Sequence, residues 1–305
     1  MLYLRLGDKW TSAYGLTIDY EHWHHLSPLS DLSGLKVAAA QPNLSLAEYE
    51  FENVSTNRVR NHGPSDPEGQ HETLLRTITR AGELGVEVLV FSEYSLHSSW
   101  RDELQSATEK LSKSPTLIVA GTSEVFDGGS GERVENHAFL MVSGGFGLTQ
   151  GKVFAAEMGS RIEGIGPVGS VRVFRSECWS IAVLICRDAM SPELTAMLGR
   201  CGVNLLLVPA FSERTGTIIS QASSLGPVSQ AFAIVAVGPA VWTDERLDRR
   251  PPDAPQRDEA AFVGPYELHP ATVVAPFGGG EGSEEAGPGL WVFDAAERSM
   301  DWVSI

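Results

Sequence analysis

Cys186, Glu93 and Lys152 are the residues of this chain whose types and settings could do chemistry together. Cys186 closes the apolar run Ser180-Ile181-Ala182-Val183-Leu184-Ile185 and is followed by Arg187-Asp188. Ser191-Pro192-Glu193 then reads as a helix start. Ser caps well, Pro is tolerated in the first turn, and Glu favours the positive helix end. A thiol carried to the end of a buried strand and into a sharp turn is how α/β enzymes present a nucleophile. Taken alone, Cys186 would read as a buried cysteine in an ordinary βαβ unit. Two further segments change that. The run Val86 to Phe91 leads into Ser92-Glu93, and Lys152 follows the hydrophobic stretch Ala138 to Gly147 after a short turn. Open α/β sheets gather ligand chemistry beyond the carboxyl ends of their strands. An acid, an amine and a thiol converging there read as a base, an oxyanion donor and a nucleophile.

The elements that must position them follow from periodicity. Leu74, Leu75, Ile78 and Ala81 predict a helix over 72–84, crossing over into the Glu93 strand. A second amphipathic helix is expected over 100–113, and strands over 116–124, 138–142, 168–174, 203–209 and 234–241. Thr272 to Ala275 and Gly289 to Asp294 read as the last strands. Asn57 to Gln70, Asp127 to Gly131, Asp244 to Glu259 and Gly278 to Pro288 read as loops or turns. Residues 1–34 form an N-terminal arm with Trp10, Tyr14, Tyr20 and Trp23; residues 35–305 form one catalytic domain. Strands alternating with helices, then hairpins, indicate an α/β class.

Composition narrows the function. The chain has 305 residues, 42% of them apolar, enough for one large α/β domain. A net charge of −16 argues against nucleic acid or an anionic membrane as the main partner. No apolar run reaches membrane-spanning length, and the first residues lack the apolar core of a signal peptide. The cysteines are Cys178, Cys186 and Cys201, a sparse, odd set that fits a reducing cytoplasm and no zinc pattern. In Glu21-His22-Trp23-His24-His25 the adjacent histidines would point different ways, so no metal is expected.

From about Leu35 to Val303 the chain resembles the nitrilase superfamily of carbon–nitrogen hydrolases. The opening strand Leu35-Lys36-Val37-Ala38-Ala39-Ala40-Gln41, the Glu93 strand, Gly151-Lys152 and the Cys186 strand occur in the family's order. Cys186 to Leu194 is similar to its nucleophile segment, as is the continuation Gly202 to Ala210. The chain departs at Ser92, where the family usually has Pro, at Arg187, where an aromatic residue is common, and at Ser223 to Phe232, where Gly226-Pro227 disfavours a regular helix. The resemblance implies a four-layer α-β-β-α sandwich and a second glutamate soon after the lysine; Glu157 and Glu163 both qualify. With Asp188 two residues after Cys186, it also implies amide or carbamoyl substrates rather than nitriles, and a homodimer or higher homo-oligomer.

The expected reaction is attack of Cys186 on the carbon of an amide, giving a thioester. Glu93 takes the thiol proton, passes it to the leaving amine and then activates water. Lys152 and the backbone N–H of Arg187 receive the negative oxygen. No cofactor is required. Tyr94, His97 and Trp100 after the base, Arg187, and Phe211 with Ser212 are candidate substrate contacts. Arg187 could equally pair with Asp188. The alternatives are a nitrilase or N-acyltransferase using the same three groups, or a catalytically idle partner-binding domain.

Overall fold

Val37 and Ala39 of one short strand belong to one apolar core, while Ala38 and Ala40 belong to another. Val88 and Val90 against Leu89 and Phe91 repeat the split. A sheet buried on both faces gives this pattern, since successive side chains point to opposite sides. The computed structural model describes residues 15–126, 134–142, 146–158, 160–212, 215–239, 258–264, 272–276 and 287–305.

In chain order the first elements are β1 (Gly15–Asp19), α1 (Trp23–Leu26), β2 (Lys36–Gln41), β3 (Tyr49–Ser55), β4 (Arg58–Pro64), α2 (Pro67–Glu83), β5 (Val88–Phe91) and α3 (Arg101–Thr108). Then come β6 (Leu117–Phe126), β7 (Val134–Val142), β8 (Phe146–Gly151), β9 (Glu157–Met158), β10 (Arg161–Glu163), β11 (Ser170–Arg175) and β12 (Ser180–Val183). The rest are α4 (Pro192–Arg200), β13 (Leu205–Phe211), α5 (Thr215–Ser223), α6 (Gly226–Ser229), β14 (Phe232–Gly238), β15 (Asp258–Val263), β16 (Thr272–Pro276), β17 (Gly289–Asp294) and β18 (Ser299–Ser304).

Two seven-stranded sheets form, ordered β1-β11-β12-β13-β14-β15-β16 and β18-β17-β2-β5-β6-β7-β8. They pack face to face through β13 and β14 against β2, β5 and β6. Helix α2 lays Leu74, Ile78 and Ala81 on the outer face of the second sheet, with Leu89 and Phe91. Leu194 and Leu198 of α4 and Ile218 of α5 join the core of the first. The result is the four-layer α-β-β-α sandwich. A separate four-stranded sheet, β3-β4-β10-β9, lies beside it.

Several sequence expectations change. Residues 57–70 are not a loop: they hold β4 and the first turn of α2, which Asp66 caps by accepting from the Gly69 N–H. This strand hides because its buried positions include Asn61 and Gly63 rather than apolar residues alone. The second helix spans only 101–108. Lys152 follows strand β8 directly, because the single stretch read over 138–147 is two strands. Gly226-Pro227 does interrupt the helix, with Pro227 seated in the first turn of the one-turn α6. Asp258 and Glu259 belong to β15, and β18 adds a strand beyond β17. Residues 15–34 join the sandwich: β1 pairs with β11, Leu26 and Leu29 enter the core, and the Trp179 indole donates to the Ser30 carbonyl at 2.8 Å. Trp10, Tyr14, the 127–131 turn, and the loop residues 244–257 and 278–286 lie outside the described residues.

Helix α4 begins as the sequence dictates, with Ser191 accepting from the Leu194 N–H and Pro192 in the first turn. Ser191→Ala should therefore cost about 1 kcal/mol, read as a lower urea midpoint at unchanged slope. An unshifted midpoint would show that the cap contributes nothing here.

Candidate active site

The Cys186 turn is backbone-driven. β12 ends at Val183, Ile185 stays extended, and Cys186 opens a 3-10 turn running to Met190. The thiol thus sits three residues beyond the strand rather than at its last position. Cys186 has φ +48, a left-handed conformation that costs a non-glycine residue on the order of 1 kcal/mol or more. Packing and hydrogen bonds hold it: Leu184 N–H donates to Leu207 O at 3.1 Å, and Asp188 N–H to Ile185 O at 3.0 Å. The thiol is 3% exposed and donates to the Phe211 carbonyl at 3.6 Å. Burial, and next the Glu93 charge, push its pKa well up, against the pull of Lys152. At rest it is protonated. The N–H of Arg187 lies in the first turn of the 3-10 helix, where no intrahelical acceptor exists.

Glu93 stands two residues beyond β5 and is 1% exposed. Its N–H bonds the Ala210 carbonyl of β13 at 3.3 Å, tying the two sheets together at the site. Tyr94 follows at φ +62, its N–H held by Thr122 Oγ1 at 3.0 Å. Thr122 can reach because β6 is irregular between Val119 and Thr122, where Gly121 at φ +89 admits the Ser92 carbonyl. Burial raises Glu93 to about 7; Lys152 opposes the rise and Glu163 adds to it.

Lys152 is 0% exposed, and its ammonium lies 2.6 Å from Glu93 Oε1 and 2.7 Å from Glu163 Oε2. Its backbone is fixed too, N–H to Asn136 O at 2.8 Å and carbonyl from Val168 N–H at 2.9 Å. Gly151 allows that approach, since a Cβ there would collide with Val168. Burial works against the charge, but Glu163 and Glu93 outweigh it and raise its pKa. The ammonium keeps its proton at every working pH.

The structure chooses between the two glutamates left open by the sequence. Glu163 is fully buried on β10, whereas Glu157 is exposed on β9. Glu163 accepts from Lys152, from the Ala156 N–H at 2.8 Å, from the Tyr94 hydroxyl and from Asn136 Nδ2 at 3.4 Å. Asn136 was not singled out from sequence. It is 0% exposed on β7 and also donates to Glu93 Oε1 at 2.9 Å. An amide at a buried position of a strand whose other buried positions are apolar was the available signal. Glu163 thus has donors on both oxygens, while Glu93 Oε1 takes Lys152 and Asn136 and the carboxylate also meets the Cys186 thiol. Environments that differ in this way divide the roles of two acids, one saturated with donors and one able to take a proton.

The other candidates scatter. Tyr94 is buried with its hydroxyl on Glu163, not at a rim. His97 is half-buried and turned to Ser99, and Trp100 stacks on His71 with centroids 4.7 Å apart. Phe211 is beside the thiol through its carbonyl, and its ring packs on Tyr49 and Tyr94 with centroids at 4.9 and 6.1 Å. Arg187 is half-buried and does not pair with Asp188, whose buried carboxylate binds the Val153 and Phe154 N–H groups instead. Burial pushes Asp188 up to about 7 despite those donors. Among the described residues no group of three or more His, Cys, Asp or Glu is set to hold a metal, and no helix is long and apolar enough to cross a membrane.

No family model matches the chain, and no curated protein does. Solved structures do. An amidase from Nesterenkonia sp. superposes at a TM-score of 0.56, with 18% identity over 88% of this chain and 93% of that one. Saccharomyces cerevisiae Nit3, a member of branch 10 of the nitrilase superfamily, gives 0.56 with 17% identity over 83% and 90%. This chain has the nitrilase-superfamily fold. A cysteine-to-alanine mutant of the same amidase, solved in complex with butyramide, matches at 0.56 with 17% identity over 88% and 93%. In the nitrilase fold of the present chain, Glu93, Lys152, Glu163 and Cys186 meet where the two sheets are joined.

Lys152→Met would leave two buried carboxylates without their cation, a loss of about 3 kcal/mol or more. The carboxylates then bind protons more tightly folded than unfolded, so the deficit shrinks at low pH and grows as pH rises. Urea titrations at pH 6 and pH 8 should show the larger loss at pH 8; equal small losses would mean that the ammonium is not the buried cluster's counter-charge.

Proposed function

We propose that this chain is a cysteine-dependent hydrolase of non-peptide carbon–nitrogen bonds, acting on amide or carbamoyl substrates through a thioester. The observation that carries the reading is the water-poor cluster itself. A buried thiol shares a site with a carboxylate raised to about 7 and with an ammonium 2.6 Å from that carboxylate. Lys152 keeps its charge and Glu93 is poised near neutrality, which is where a general base works best.

The steps follow from these positions. Glu93 accepts the Cys186 proton as sulfur bonds to the substrate carbon, and the carbonyl electron pair moves to oxygen. The Lys152 ammonium and the Arg187 N–H stabilise that oxygen; one such donor is worth about 3 kcal/mol of barrier. Collapse breaks the carbon–nitrogen bond, and the amine leaves with the proton held by Glu93. Water then gives its proton to Glu93 and attacks the thioester, freeing acid and thiol. Glu163, saturated with donors, fixes Lys152 throughout. Similar structures support the reading: a mutant of the amidase from Nesterenkonia sp. AN1 shows covalent addition of the acetamide moiety of fluoroacetamide at its active-site cysteine. The 3% exposure of Cys186 and the packed rings of Tyr49 and Phe211 favour a short acyl group. The same reading takes the protein as cytoplasmic and a homo-oligomer.

Ammonia release over a panel of short amides, carbamoyl amino acids and nitriles tests this. Cys186→Ala should abolish release, while Cys178→Ala and Cys201→Ala should keep most of it. Activity surviving in Cys186→Ala but lost in Cys201→Ala would move the nucleophile elsewhere. The kcat/KM profile should fall on the acid side of about pH 7 as Glu93 takes up its proton, with no loss from Lys152 deprotonation at pH 9. A rate independent of pH from 5 to 8 would remove Glu93 from the role of base.

A further inference from the structure

Asp188 is a buried carboxylate that the reaction scheme does not use. It lies two residues beyond Cys186, inside the same 3-10 turn, and is 1% exposed. Its oxygens accept from the Val153 N–H at 3.1 and 3.0 Å and from the Phe154 N–H at 2.8 Å. Those two residues directly follow Lys152. A pair of successive backbone N–H groups makes an anion-binding concavity, and a buried carboxylate demands such donors. Asp188 therefore joins two strand ends from opposite sheets: β8, which delivers Lys152, and β12, which delivers Cys186. We infer that Asp188 is a positioning residue, holding the Lys152 segment in fixed register against the Cys186 turn so that the ammonium meets the oxygen that develops on the substrate.

Three observations converge on this. Burial raises Asp188 to about 7, and the Val153 N–H, Lys152 and the Phe154 N–H keep it from rising further. Lys152 lies near enough to act on that charge directly. The other ties on the Lys152 backbone run to Asn136 and Val168, neither of which belongs to the nucleophile turn. A displacement of about 1 Å at a catalytic group can cost roughly 100-fold in rate. The inference rests on the hydrolase reading, because it assigns Asp188 a role through Lys152.

A double-mutant cycle tests it, using p-nitrophenyl acetate hydrolysis, which stays measurable in slow variants. Asp188→Asn preserves shape but places an amide NH2 where an N–H donor must be met. In the parent it should lower kcat by about 30- to 100-fold with KM within about twofold. In a Lys152→Met background the same change should alter the rate by no more than about twofold, because the group it positions is gone. An equal fractional loss in both backgrounds, or no loss in the parent, overturns the inference. If Asp188→Asn does not fold by circular dichroism, Asp188→Glu replaces it. That variant keeps the charge and shifts the oxygens by one methylene, and the same two comparisons decide. Cys186→Ala as active as the parent would refute the hydrolase reading and this role with it. An active parent, an inactive Cys186→Ala and an unaffected Asp188→Asn would refute the role alone.

Discussion

A single ammonium, that of Lys152, sits with no solvent exposure between Glu93 at 2.6 Å and Glu163 at 2.7 Å. Two carboxylates and one amine leave a surplus negative charge in a dry place. Each ion loses several kcal/mol of hydration there, and only complete hydrogen bonding offsets the loss. The neighbours read as a response to that demand. Asn136 donates to both glutamates, and the Tyr94 hydroxyl and the Ala156 N–H complete Glu163. What remains is concentrated on Glu93, whose proton affinity rises to the neutral range. The fold thus leaves one carboxylate able to take a proton near neutrality by denying it the donors it gives the other.

The sandwich is what makes such a cluster affordable. Glu93 and Lys152 come from the ends of β5 and β8 in one sheet, and Cys186 from beyond β12 in the other. Face-to-face packing of the sheets brings these ends together and excludes water. Backbone strain marks the same spot. Of the four non-glycine residues at positive φ among those described, Tyr94 and Cys186 adjoin or form the cluster. Strain of this kind persists where surrounding structure fixes it, here through Thr122 on Tyr94 and the Asp188 turn after Cys186.

Much of this was legible in the sequence because the signals were apolar. Val88 to Phe91 and Ser180 to Val183 are short runs that can only be buried strands, and whatever follows them lies at a strand end. That placed Glu93 and Cys186. Ser191-Pro192 marked α4 to the residue. The failures were polar. β4 carries Asn61 and Gly63 at buried positions and passed for a loop; it forms a hairpin with β3, and its other partner, β10, is distant in sequence. Asn136 was overlooked, and Asp188 was read only as a substrate-class feature and a possible partner of Arg187, because their contacts are with groups that only the tertiary fold brings near. The choice of Glu163 over Glu157 depended on pairing of β10 with β4, which no local pattern encodes.

The central claim is that Cys186 carries the acyl group while Glu93 and Lys152 handle proton and charge. Rapid-quench mass spectrometry with a short-chain amide tests it most directly. Peptide mapping should find the acyl group on Cys186 alone, transient in the parent and absent from Cys186→Ala. An acyl group mapped to Cys178 or Cys201, or steady turnover with no adduct at any cysteine, would contradict the account.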